Sequence, residues 1–81
     1  MSERVISEWS INARERLRVK LDVYQGRDIF DLRRWYSTGG DELRPGRGLA
    51  ISVRHLPALA EALSQALAEA TEKGLLHGAG P

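Results

Sequence analysis

Eighty-one residues are enough for one compact domain but not for a large core, because a chain this short buries a comparatively small share of its surface. With no cysteine and no Cys/His spacing that would hold zinc, disulfides and structural metal are excluded as staples, and oligomerisation is the remaining way to enlarge the core. The net charge of +1 singles out no partner, but residues 16–54 hold nine bases against five acids while both flanking segments are acidic.

Met1 to Ala13 carries Glu3, Glu8 and a polar mix unlike a signal peptide, and no apolar run approaches membrane-spanning length. The chain is therefore expected to be soluble and intracellular, with no membrane partner. Residues 1–15, which include Trp9 and Ile11, are expected to form a partly ordered leading segment. From Arg16 the sequence RLRVKLDVY alternates strictly, with Leu17, Val19, Leu21 and Val23 on one side and Arg16, Arg18, Lys20, Asp22 and Tyr24 on the other. That period of two predicts a strand with one buried and one exposed face. Gln25 to Asp28 supplies a turn, and Ile29 to Tyr36 (IFDLRRWY), rich in branched and aromatic residues, completes a hairpin. Ser37 to Asp41 forms a second turn, followed by a short strand around Glu42 to Arg44. Pro45 and Gly46 are expected to break it, and Gly48 to Val53 forms a fourth short strand.

After Arg54 the period changes. Leu56, Leu59, Ala60, Leu63, Leu67 and Ala70 recur at steps of three and four, which predicts an amphipathic helix with Pro57 in its first turn and Gly74 at its end. Alanines 58, 62, 66 and 70 form a second line that either admits a close neighbour, as in a dimer, or reflects helix propensity alone. Residues 74–81 are expected to be a disordered tail. The order is thus α+β, ββββα, with a domain over 16–73. One helix is expected to cover one face of the four-stranded antiparallel sheet and leave the other open.

The open face would present Arg18, Lys20 and Tyr24 from the first strand. Cations that follow phosphates beside an aromatic ring that stacks on bases are the combination that holds single-stranded nucleic acid, although Tyr24 could equally pack on a neighbour. If Phe30 and Leu32 face the core, Asp31, Arg33 and Trp35 face outward, and an outward tryptophan beside an arginine is a costly surface unless covered. Tyr36 then falls on the Phe30 side, and one of the two aromatics is expected to be core and the other a platform. Arg44-Pro45-Gly46-Arg47 places two more cations on what reads as an exposed turn, and Arg27 adds one in the first turn. No phosphate-cradling loop, nucleophile elbow or metal motif is present, and His55 and His77 lack partners at catalytic spacing, so neither an enzyme nor a cofactor is expected.

These pieces, in this order, resemble the positive cofactor 4 (transcriptional coactivator p15) family of single-stranded-DNA-binding proteins, which has bacterial and phage relatives. The resemblance rests on Leu17 to Tyr24 with Gly26, Asp31-Leu32-Arg33 with Trp35-Tyr36, Glu42 to Gly48 (ELRPGRG), Leu49-Ala50-Ile51 and the helix from Leu56. It implies a curved four-stranded sheet with a C-terminal helix, assembled as a homodimer that binds single strands without catalysis and with little sequence preference. The family's aromatic before the first turn falls on Tyr24, its base after the turn glycine on Arg27, its strand arginine on Arg33, its tryptophan on Tyr36 and its Lys-Pro platform on Arg44-Pro45. The departures are a missing base between Pro45 and Gly48 that leaves Arg47 alone, the order Trp35-Tyr36 in place of tyrosine then tryptophan, and Gln25 in place of a turn base. The eukaryotic regulatory region rich in serine and lysine is also absent. The expected interface is Arg18, Lys20, Tyr24, Arg27, Arg33, Trp35, Tyr36, Arg44, Pro45 and Arg47. Its expected ligand is single-stranded DNA, with RNA or melted duplex as further candidates, and if the host is bacterial the expected location is the cytoplasm at the nucleoid. The alternative is a protein-interaction module that recruits a transcription or replication partner and binds nucleic acid weakly.

Overall fold

A computed structural model describes residues 3–40 and 42–76. Strands β1 (Arg4–Ser10), β2 (Glu15–Tyr24), β3 (Arg27–Ser37) and β4 (Leu43–Ser52) form one sheet in the order β1-β2-β3-β4. Every neighbouring pair is antiparallel. A 3-10 turn over Val53–His55 leads into helix α1 (Leu56–Glu72).

The first strand comes from the leading segment, which the sequence alone did not mark as a strand. Val5 and Ile6 break the simple alternation, and the β1–β2 register shifts between Val5 and Ser7. The hairpin is closed by Asn12, whose Oδ1 accepts from the backbone N–H groups of Arg14 at 2.8 Å and Glu15 at 2.9 Å. An asparagine side chain mimicking a backbone turn in this way is a local device that needs no glycine or proline.

The β2–β3 turn is tighter than expected. Tyr24 pairs directly with Arg27, so only Gln25 and Gly26 remain in the loop, with φ of 53° and 76°. Two consecutive positive φ values are what a type I′ hairpin turn requires, and glycine meets that demand at its own position without a Cβ penalty.

The expected break at Pro45-Gly46 is a bulge instead. Trp35 pairs with Pro45 and Arg33 with Gly48, so Gly46 and Arg47 together lie opposite Arg34, and the two short strands expected here are one. Proline is tolerated because β4 is an edge strand, where a missing N–H costs the ladder little. Gly48 is a position where no side chain fits: an added Cβ would lie 2.6 Å from the Leu32 carbonyl oxygen and 2.7 Å from Arg33 Cβ.

The helix ends as its sequence predicts. Gly74 has φ of 67°, its N–H donates to Thr71 O at 3.1 Å, and the Leu75 N–H donates to Ala70 O at 2.8 Å, which together make a Schellman cap. The helix does not, however, lie over the sheet as expected. Leu63 and Leu67, on its apolar stripe, are 56% and 59% exposed, and only Phe30, at 7%, is buried among the described residues. The described body is thin, 42 × 36 × 17 Å. Residues 77–81, with His77, and turn residue Asp41 lie outside the described residues.

Gly48→Ala is expected to destabilise the domain by about 1–3 kcal/mol, the range for overpacking, because the obstructing atoms are backbone and Cβ. Urea denaturation checks this, and an unchanged midpoint would show that β4 shifts freely at the bulge.

Candidate nucleic-acid interface

Strand parity and register together decide what each face carries. On one face lie Arg16, Arg18, Lys20, Asp22 and Tyr24 of β2, paired across the ladder with Trp35, Arg33, Asp31, Ile29 and Arg27 of β3. Glu8 joins this row from β1 opposite Arg18, and Pro45, Gly48 and Ala50 join it from β4. The other face carries Leu17, Val19, Leu21 and Val23, opposite Arg34, Leu32, Phe30 and Asp28, with Trp9 beside Leu17. Of the ten expected interface residues, Arg18, Lys20, Tyr24, Arg27, Arg33, Trp35 and Pro45 therefore share the basic face. Tyr36 pairs with Arg44 on the opposite one, and Arg47 sits in the bulge.

The cations expected at the interface, together with Arg16, fall into two groups. Glu8 bridges Arg16 and Arg18, accepting from Arg16 Nε and, at 3.0 Å, from Arg18 Nε. Lys20 Nζ meets Glu3 Oε2 at 2.9 Å, and Arg33 Nε meets Asp31 Oδ1 at 3.2 Å. Arg33 Nη1 also donates to the Gly46 carbonyl at 3.0 Å, which ties the strand arginine to the bulge. By contrast, Arg27, Arg44 and Arg47 have no carboxylate within ion-pair distance among the described residues. A phosphate arriving at the first group must compete with an existing anion, whereas at the second it meets solvated guanidinium groups.

The aromatics are also unequal. Arg18 lies over the Trp35 ring with its guanidinium carbon 4.0 Å from the centroid, and Lys20 Nζ stands 5.9 Å away. Trp35 is half-buried, and its Nε1 is shielded from solvent with no hydrogen-bond partner among the described residues. Sequence parity placed Trp35 on the outer face, but the arginine that covers it, across the ladder, is a long-range contact. Tyr36 is 37% exposed, with its ring against Gly46, where an added Cβ would lie 3.4 Å from Cδ1. Tyr24 is 66% exposed and is the freest of the three to stack on an incoming ring.

Burial raises the Glu8 pKa, but hydrogen bonds from Arg16 and Arg18 and the attraction of both guanidinium groups outweigh it, so the carboxyl sits below its usual range. A depressed carboxylate pKa contributes stability that is present above the unfolded value and is lost as pH falls through the folded one.

An open four-stranded antiparallel meander followed by one helix, with arginines and an exposed tyrosine on one sheet face, defines the chain as a small open-faced α+β domain. The family model described as Transcriptional Coactivator p15 (PC4) matches residues 11–62, more than half of the chain, and the chain belongs to that family. Among solved structures, a PC4 homologue from Burkholderia pseudomallei is 26% identical at a TM-score of 0.72, with 80% of this chain and 97% of that one covered. The bacteriophage T5 homologue of the eukaryotic coactivator PC4, implicated in recombination-dependent DNA replication, shares the fold at a TM-score of 0.71 and 22% identity, covering 88% and 83% of the two chains. MoSub1, solved in complex with single-stranded DNA, is 28% identical at a TM-score of 0.60, covering 83% and 78%. A comparison with curated protein sequences finds no match.

Glu8→Gln is expected to lower stability at neutral pH, and the difference from the unsubstituted protein should shrink as pH falls below about 4.5, the ordinary glutamate value. Thermal denaturation across pH 3–7 reads this directly. A constant difference over that range would mean that the Glu8 carboxylate is not stabilised by its arginines.

Proposed function

We propose that this chain is a non-catalytic, homodimeric module that binds single-stranded DNA with little sequence preference and acts in transcription, replication or repair. The observation that carries the reading is the basic face itself: Tyr24 exposed beside Arg27, with Arg33 further along the same strand. Backbone phosphates meet arginine, and bases of any identity stack on a tyrosine ring, so affinity follows charge and stacking rather than base edges. The MoSub1 complex with single-stranded DNA supports this ligand. RNA shares the phosphate and the base faces, and is a second ligand of the same surface.

The homodimer is supported by what the single chain leaves uncovered. Leu63 and Leu67 on the helix, and Val23 and Leu49 on the apolar sheet face, all stand in water in the monomer. A second copy covers such surfaces without any new sequence. The same exposed helix is the one observation that favours a protein-recruiting role, and a heterologous partner would use it in place of the second copy.

Tyr24→Ala is expected to weaken binding of an oligothymidine by about 1–3 kcal/mol, roughly 5- to 150-fold, as read by fluorescence titration. Equal affinity of the variant and the unsubstituted protein would remove Tyr24 from the interface. In sedimentation, the chain should run as a dimer and the double variant Leu63→Glu/Leu67→Glu as a monomer. A dimer that survives both changes would place the contact elsewhere.

A further inference from the structure

At the corner where β2 turns into β3 and β4 passes into the helix, the chain forms an open concavity of about 770 Å³ lined by Arg27, Asp28, Ser52, Val53, Arg54 and His55. From the geometry and charge of this corner we infer a phosphate-binding subsite, in which Arg27, Arg54 and His55 hold the internucleotide phosphate next to the base stacked on Tyr24. The inference rests on the single-strand reading above and extends it to Arg54, which was not among the expected interface residues, and to His55, which lacked a partner at catalytic spacing.

The corner is built by local hydrogen bonding. Ile29 pairs with Ser52 near the end of the β3–β4 ladder, and the Ser52 hydroxyl accepts from the Arg54 N–H at 3.3 Å, starting the 3-10 turn. The turn carries Arg54 and His55 on consecutive residues, and both line the concavity together with Arg27, the first residue of β3. Arg27 is also the direct cross-strand partner of Tyr24, so the concavity begins beside the exposed ring.

Its charge balance favours an anion. Neither Arg27 nor Arg54 has a carboxylate within ion-pair distance among the described residues, and Asp28, the one acid lining the concavity, pairs with neither. His55 makes no side-chain capping hydrogen bond to the helix that follows it, which leaves its imidazole available to a ligand. Two forked guanidinium groups and an imidazole suit the oxygens of a phosphate, and a concavity of this size has room for a nucleotide's sugar and phosphate. Arginine contributes here as a bidentate donor, so lysine at either position would be a poorer substitute.

The test is a titration with oligothymidine at several salt concentrations, using Arg54→Gln and Asp28→Asn beside the unsubstituted protein, with Tyr24→Ala as a reference. The Arg54 side chain is exposed, and its fold contact is made by the backbone N–H, which glutamine keeps. Arg54→Gln is expected to reduce the slope of log affinity against log salt by about 0.7, the loss of one neutralised phosphate on a single strand. Asp28→Asn is expected to strengthen binding, and Tyr24→Ala to weaken it without changing the slope. If Arg54→Gln and Asp28→Asn both bind as the unsubstituted protein does while Tyr24→Ala binds weakly, the subsite is overturned and the single-strand reading stands. If the unsubstituted protein does not bind oligothymidine, that reading fails, and the subsite is judged with inorganic phosphate by NMR. A phosphate-dependent shift of the His55 ring resonances that is lost in Arg54→Gln upholds it, and no shift overturns it.

Discussion

The strict period of two in β2 is the constraint from which the rest of the structure follows. Because successive side chains point to opposite faces, RLRVKLDVY cannot be buried on both sides, and its register with β3 sorts the neighbouring strand in the same way. Arg18 meets Arg33, while Leu21 meets Phe30. A one-residue slip would drive the cations onto the leucine face, so the I′ turn at Gln25-Gly26, which sets that register, is what keeps the arginines together on one face.

Setting two arginines opposite each other is unfavourable unless anions intervene. Glu8, from an edge strand, answers Arg16 and Arg18, and Asp31 answers Arg33. Arg18 gains a second contact on the Trp35 ring, which removes apolar surface from water on a face that has no packed layer above it. The middle of the basic face is thus neutralised, while Arg27 at its end, Arg47 in the bulge and Arg44 on the opposite face have no carboxylate within ion-pair distance among the described residues. This distribution leaves a chain of net charge +1 with a face rich in cations. It also shifts weight from Arg18 and Lys20, which have anions already, to arginines at the turn and the edge strand.

What could be read from the sequence was whatever is encoded locally. The alternation in β2, the change of period after Arg54 and the terminating Gly74 are each contained in a few residues, and so were the sheet, the helix and the parity that put Trp35 beside Arg33. Features that depend on pairing were hidden. Arg4–Ser10 becomes a strand because β2 offers it an edge and Asn12 turns the chain, although its own pattern is irregular. Pro45-Gly46 reads as a break in isolation and is a bulge only because β3 continues past it. The Glu8 bridge spans eight and ten residues, and the gathering of Arg54 and His55 with Arg27 spans the whole of β3 and β4, so no spacing rule announces either. The helix was legible, but its position was not. Amphipathicity shows that a face needs covering and does not say which surface covers it.

The central claim is a division of labour between two faces, one for nucleic acid and one for a second copy of the chain. Amide chemical-shift mapping with oligothymidine tests it most directly, because it reads both surfaces in one experiment. The account predicts shifts concentrated at Tyr24, Arg27, Arg33 and Arg47, with Leu63 and Leu67 unmoved and the dimer intact. Shifts concentrated on the helix leucines and on Leu17, Val19 and Leu21, with Tyr24 and Arg27 unmoved, would contradict it.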